Sequence, residues 1–195
     1  MERGCPAPER PRSALEEQAW ALEEHARAVP ANAEVVGRML ALLARPDAAF
    51  SRHHVAPGHF TASAFVLCPE RRRVLLVHHQ KLGRWLQPGG HVEPTDATLL
   101  DAARREVAEE TGIALGPQLG AGIFDVDIHS IPASAKDGAH LHFDVRYAFV
   151  TEGLELSASP EVLGARWVEL DAVSRLTDED SVLRCVERLR AFTSR

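Results

Sequence analysis

Residues 89–113 read Gly-Gly-His-Val-Glu-Pro-Thr-Asp-Ala-Thr-Leu-Leu-Asp-Ala-Ala-Arg-Arg-Glu-Val-Ala-Glu-Glu-Thr-Gly-Ile. In order, this is a glycine turn, an acidic loop, a carboxylate-rich helix and a glycine stop. Asp96 has the side chain of an N-cap ahead of an unbroken run of helix formers, and Gly112 is the expected C-terminal breaker. Leu100, Ala103 and Val107 recur at helical spacing, so they form a stripe that can be buried. Glu106, Glu109 and Glu110 stand at i, i+3 and i+4, which gathers three carboxylates within one turn. Near a helix C-terminus those charges repel one another and oppose the helix dipole. Arg105 lies four residues before Glu109 and four after Asp101, and it offsets only part of that charge. A divalent cation with oxygen ligands would offset the rest, and Mg²⁺ prefers such carboxylate sites.

The stretch resembles the Nudix box: a glycine, five residues, an acid, seven residues, then Arg-Glu-apolar-any-Glu-Glu-any-Gly-apolar. Gly90 opens it, and Arg105 through Ile113 close it without deviation. The middle departs twice. Asp96 stands where glutamate is usual, and eight residues rather than seven separate it from Arg105. The extra residue predicts that Asp96 caps the helix, leaving Arg105 to pair with Asp101 or Glu109. The plain alternative, a solvated acidic helix, leaves the glycine pair and the arginine partners unexplained.

Around this centre, the chain is 195 residues long, a length that suits one domain with a modest appendage. Its net charge of −6 argues against non-specific affinity for nucleic acid or an anionic membrane. Cys5, Cys68 and Cys185 are odd in number and lack metal-ligand spacing, which speaks against a disulfide framework. With no signal peptide, spanning segment or repeat in the pattern, a cytoplasmic location is expected.

Residues 1–12 read as a loose terminus, rich in proline, arginine and glutamate. Residues 13–50 read as a helical hairpin extension: one helix capped by Ser13, a second from about Asn32 that ends before Pro46. Residues 51–195 are the expected catalytic domain. Phe60–Leu67 and Val74–Val77 form a hairpin, followed by a short strand through Trp85 that delivers the chain to Gly89. Lys81 and Arg84, just upstream of the acidic helix, are candidate anion contacts. A terminal amphipathic helix carries Val182, Cys185, Val186 and Leu189.

Two further strands, Ile123–Ile131 and His140–Val150, alternate so that Asp125, Asp127 and His129 share one face of the first. His140, His142 and Asp144 share one face of the second. A register with His129 opposite His140 puts Asp127 opposite His142 and Asp125 opposite Asp144. The resulting polar ladder either ties the hairpin together or looks into a substrate cleft, with Asp127, His140 and His142 as contacts. A zinc site of His140, His142 and Asp144 is a third possibility. With Asp127 opposite, the pKa of His142 is expected above the ordinary 6.5.

The Nudix resemblance implies an α+β fold, an α/β/α sandwich with a mixed sheet. It also implies metal-dependent hydrolysis of the diphosphate linkage in a nucleoside diphosphate joined to another moiety. Two or more Mg²⁺ (or Mn²⁺) ions would be held by Glu106, Glu109, Glu110 and the carbonyl of Gly89. Arg105 would orient the glutamates, and the general base would be Glu109 or Glu161, the latter from a late loop. The expected partner is a small nucleotide-like molecule; a homodimer is compatible with the sequence. Two other classes remain open: a catalytically silent nucleotide-binding module, and a diphosphate isomerase of the isopentenyl type. The isomerase needs a reactive cysteine in the cleft, and neither Cys68 in its turn nor Cys185 on an apolar helix face is well placed for one.

Overall fold

A computed structural model describes residues 13–45, 49–133 and 138–193. The expected loose terminus, residues 1–12, lies outside them. Helix α1 (Ala14–Ala28) begins where Ser13 accepts a hydrogen bond from the Glu16 amide, as its capping sequence predicts. After a 3-10 turn at Pro30–Asn32, α2 spans Ala33–Leu43. Eight strands follow among the described residues: β1 (Gly58–Leu67), β2 (Arg73–His79), β3 (Arg84–Leu86), β4 (Gly89–His91), β5 (Leu115–Gln118), β6 (Asp125–Ile131), β7 (His140–Thr151) and β8 (Val162–Glu169). Helix α3 (Leu99–Thr111) lies between β4 and β5, and α4 (Asp180–Leu189) lies between 3-10 segments at Leu170–Arg175 and Arg190–Phe192.

The strands make one mixed sheet in the order β3-β2-β1-β7-β5, with β4 on β1, β6 on β7 and β8 on β2. Only β1 and β7 among these pairs run parallel, over ten registered residues. Every residue of β1 is buried, as expected for a strand covered on both faces. Its alternate residues serve two cores. Phe60, Ala62, Ala64 and Val66 pack with Ala102, Ala103 and Val107 of α3 and with Leu22, Val36 and Met39 of the helical hairpin. Phe65 and Leu67, on the opposite face, pack with Val182, Cys185, Val186 and Leu189 of α4. The protein is therefore α+β, a mixed sheet between helical layers, with the N-terminal hairpin sharing the α3-side core. His25 of α1 reinforces that docking by donating through Nδ1 to the Ile123 carbonyl at 3.0 Å.

Two local expectations are corrected. Helix α3 is capped by Thr98, not Asp96: Thr98 Oγ accepts from the Asp101 amide at 3.1 Å and donates to the Asp101 carboxylate at 2.8 Å. The helix thus starts after the loop has absorbed the extra residue. The β6–β7 register is also shifted by two residues, pairing His129 with His142, Asp127 with Asp144 and Asp125 with Arg146. The shift keeps each side chain on its expected face, because the strand repeat is two. It places Asp125 opposite the Arg146 guanidinium, while Asp127 and Asp144 now face each other and share that arginine.

Candidate active site

The site forms where β4, α3 and the loop before β8 converge. Gly112 closes α3 in the left-handed region, with φ of 70°, a conformation glycine adopts without penalty. Gly90 has a different reason to be glycine: a Cβ there would come within 2.6 Å of the Glu106 carboxylate. Backbone and carboxylate are pressed together. Gly89 completes the contact by donating its amide to Glu110 Oε2 at 3.0 Å.

Arg105 holds the carboxylates in place. It binds Asp96 with Nε and Nη2, both at 3.0 Å, and also reaches Glu106 at 3.0 Å, Glu109 at 2.8 Å and the His91 carbonyl at 2.8 Å. The expectation that Asp96 would not reach Arg105 is therefore wrong. The added residue moves the cap to Thr98 and leaves Asp96 in a turn, accepting from the Glu93 amide at 2.8 Å. From there its fork meets the guanidinium two-to-two. Of the two partners expected for Arg105, Glu109 is used, while Asp101 is bound to Thr98.

The electrostatics separate these acids. Burial pushes Glu106 up to about 7 despite Arg105, with Glu109 and Glu161 adding repulsion. Burial likewise pushes Glu110 up to about 7; the Gly89 amide opposes this, and Glu106, Glu161 and Glu109 reinforce it. Asp96, bonded to Arg105, is held below the usual range although burial acts the other way. Glu161 enters this set through its loop. The amides of Ser157 and Ser159 donate to the carbonyls of Thr111 and Glu110, tying residues 157–161 to the end of α3. Glu161 is itself exposed.

Beside the carboxylates, one sheet face is a polar floor. Across β4, β1, β7 and β6, register places Gly89, Ser63, Arg146 and Asp125 in one row and His91, Thr61, Asp144 and Asp127 in the next; His59, His142 and His129 continue across β1, β7 and β6. The acids of this floor are engaged internally. Asp144 accepts from Thr61, Ser63, Gln87 and Arg146. Arg146, at 2% exposure, also pairs with Asp127 at 3.2 Å and Asp125 at 3.5 Å, and donates to Ser181 of α4. Asp125 is further bound by Arg184 and Arg188. A zinc site that uses Asp144 is thus not what the floor presents. Asp127 is hydrogen-bonded to His129, and this contact with the charges of Arg146 and Arg184 brings its pKa to about 2 against the effect of burial.

The imidazoles are the floor's second component. His142 touches the rings of His59, His91, His129 and His140. Burial and the neighbouring imidazoles push its pKa down to about 2. This reverses the upward shift expected from Asp127, whose hydrogen bond goes to His129. The remaining expected contacts stand apart: Lys81 is exposed in the β2–β3 turn, and Arg84, exposed at the start of β3, is ion-paired with Glu179. Cys185 is buried, bonded to Asp125 at 3.2 Å, and pushed up to about 12 by burial and that carboxylate. A thiol held protonated in this way is the opposite of the nucleophile an isomerase would need.

Arg146, His59, His91, Thr61 and Ser63 were not singled out by sequence. The alternation of β1 (His59, Thr61, Ser63) was the available signal; it was masked because the intervening Phe60, Ala62 and Ala64 made the segment read as continuously apolar.

A family model described as the NUDIX domain matches residues 58–189. The chain belongs to the Nudix family. Among solved structures, a Nudix-family hydrolase from Clostridium perfringens aligns at 23% identity and a TM-score of 0.52, covering 73% of this chain and 99% of that one. The Nudix domain of Shewanella oneidensis NrtR, solved in complex with ADP-ribose, aligns at 20% identity with the same TM-score, covering 69% of this chain and 88% of that one. At these identities the likeness is one of fold. No curated protein sequence matches this Nudix protein. No helix among its described residues is long and apolar enough to cross a membrane.

Proposed function

We propose that this Nudix protein is a metal-dependent hydrolase of the diphosphate linkage in a nucleoside diphosphate joined to another moiety. One observation carries the reading: the half-buried Glu106 and the buried Glu110, one helical turn apart, both press against the Gly89–Gly90 strand, and burial raises the pKa of each to about 7. Two largely desolvated acids whose charges disfavour each other suit a divalent cation with oxygen preference, Mg²⁺ or Mn²⁺. Glu106, Glu109, Glu110 and the Gly89 carbonyl would hold two or more such ions. The ions would neutralise the diphosphate and lower the pKa of the attacking water.

The chain's own residues divide the remaining work. Arg105 is a positioning residue: bound to Asp96 and the His91 carbonyl, it fixes Glu106 and Glu109 rather than touching substrate. Glu161, exposed and tied to α3 by its loop, takes the proton of the attacking water. Glu109 is the second candidate for that step, although its carboxylate is already engaged by Arg105. His142 and His140 line the floor that receives the nucleotide portion. Asp127, with both oxygens engaged, serves by orienting His129, and Lys81 contributes positive potential at the cleft mouth. Arg84 would have to leave Glu179 to contact an anion. The ADP-ribose bound to the NrtR Nudix domain is one member of the proposed substrate class.

The test is product release from a panel of ADP-ribose, dinucleoside polyphosphates, nucleotide sugars and nucleoside triphosphates with Mg²⁺. Hydrolysis must yield two phosphorylated or phosphate products, and Glu161→Gln should reduce turnover at least about tenfold with KM little changed. Tight binding without product would instead favour the silent module.

A further inference from the structure

The carboxylate site does not account for the histidines. His59 of β1, His91 of β4 and His142 of β7 come from three neighbouring strands and point their rings from the same sheet face. Ring centroids are 5.1 Å apart for His59–His91, 5.0 Å for His59–His142 and 5.2 Å for His91–His142. One ring nitrogen from each lies within 4.8 Å of the others. Around a tetrahedral ion with Zn–N bonds of about 2.0–2.1 Å, three such nitrogens would sit about 3.4 Å apart. Closing that difference takes ring movements on the order of 1 Å.

A second observation points to a ligand. His59 is fully buried, and its Nε2 has no hydrogen-bond partner. Its Nδ1 lies 3.1 Å from the His54 carbonyl, which can only accept. The proton must therefore be on Nδ1, and Nε2 carries a lone pair buried without a donor. Leaving such an acceptor unmet in a packed interior is costly. An imidazole that donates from one nitrogen to a backbone carbonyl and offers the other is also the usual arrangement of a metal-bound histidine. His140 anchors the neighbouring ring in similar fashion, with Nδ1 2.7 Å from the Gly138 carbonyl and Nε2 3.3 Å from His142 Nε2.

We propose that His59, His91 and His142 bind one transition-metal ion of the Zn²⁺ class, at a site distinct from the acidic one on α3. Three imidazoles and no carboxylate select borderline ions over Mg²⁺. Asp144 and Asp127, the acids nearest in register, are already saturated by Arg146, Thr61, Ser63 and His129. Three protein ligands leave a fourth position for water or a substrate oxygen. Because His91 directly follows Gly89 and Gly90, the ion would border the carboxylate site and stitch β4, β1 and β7 together at the floor. The assignment is independent of the hydrolase reading.

The experiment uses the full chain, stripped with chelator and kept in excess Mg²⁺ so that the carboxylates are occupied. Zn²⁺ is titrated by calorimetry and Co²⁺ by visible absorption. The expected result is one equivalent of Zn²⁺, a tetrahedral Co²⁺ ligand-field spectrum without thiolate charge-transfer bands, and at least about tenfold weaker Zn²⁺ binding in His91→Ala and in His142→Ala. Glu106→Gln should bind Zn²⁺ as the parent does. Failure of the parent to bind, or binding lost in Glu106→Gln and kept in both histidine variants, overturns the proposal. If a histidine variant does not fold, the parent's Co²⁺ spectrum decides: weak octahedral bands would count against the site, and intense tetrahedral nitrogen-ligated bands for it.

Discussion

Replacing Glu110 by glutamine removes a charge that the folded protein holds under strain, and the stability consequence can be worked out from the structure. Glu110 is 6% exposed, and its pKa lies at about 7 against an ordinary 4.5. That difference corresponds to about 3 kcal/mol between the folded and unfolded chains. A carboxyl whose folded pKa is raised contributes its stability below about pH 4.5, where both states are protonated at that group, and loses it as the pH climbs through about 7. In chelator, the parent should therefore weaken between pH 5 and pH 8, and Glu110 should account for roughly 2–3 kcal/mol of that loss. Glu106, raised to about 7 in the same way, adds a coupled share. Glutamine keeps an oxygen for the Gly89 amide and has nothing to ionise. Urea denaturation of Glu110→Gln in chelator should show the variant more stable than the parent at pH 8 and nearly equal to it at pH 5. Adding Mg²⁺ at pH 8 should stabilise the parent, because an ion that binds only the folded chain shifts the equilibrium by mass action, and should stabilise the variant less. Parallel pH profiles for the two proteins, within about 0.5 kcal/mol, would show that the buried charge at Glu110 is not what the structure implies.

Other consequences can be checked separately. Asp96→Ala strips the bidentate partner from a largely buried Arg105 and should cost about 1–3 kcal/mol in denaturant midpoint; a loss below about 0.5 kcal/mol would show that Glu106 and Glu109 suffice to hold the guanidinium. Thr98→Ala removes the true cap of α3 and should cost about 0.5–2 kcal/mol while leaving turnover on a confirmed substrate nearly intact. Arg146→Met leaves Asp125, Asp127 and Asp144 clustered without their common counter-ion, and a loss of about 3–5 kcal/mol is expected by thermal or urea unfolding. His142→Ala should raise KM by a factor that is the same at pH 6 and pH 8, since a group with pKa about 2 is neutral at both; a factor that grows as the solution is acidified would mean His142 is charged in use.

By itself the sequence determined the parts whose signals are local. The closing half of the box, Arg105 through Gly112, specifies a helix with carboxylates on adjacent turns and a glycine that must turn left-handed, and α3 has that form. The alternation in Asp125–His129 and His140–Asp144 fixed which side chains share a face, because pleating leaves no other choice. The caps at Ser13 and Gly112 and the apolar face of α4 were legible for the same reason. Only the tertiary structure decided what these faces meet. Register between β6 and β7 depends on Arg146 being buried among three acids, and no local pattern shows that a lone arginine in an apolar strand will be buried as a counter-ion. The fate of Asp96 depended on whether the extra residue lengthened the helix or the loop, a choice made by Thr98 capping and Arg105 reaching back over the turn. His59, His91 and His142 are separated by 32 and 51 positions in the chain, and they meet only because β4 and β7 both pair with β1. Long-range strand pairing brings them together, and a single sequence carries no periodicity that encodes it.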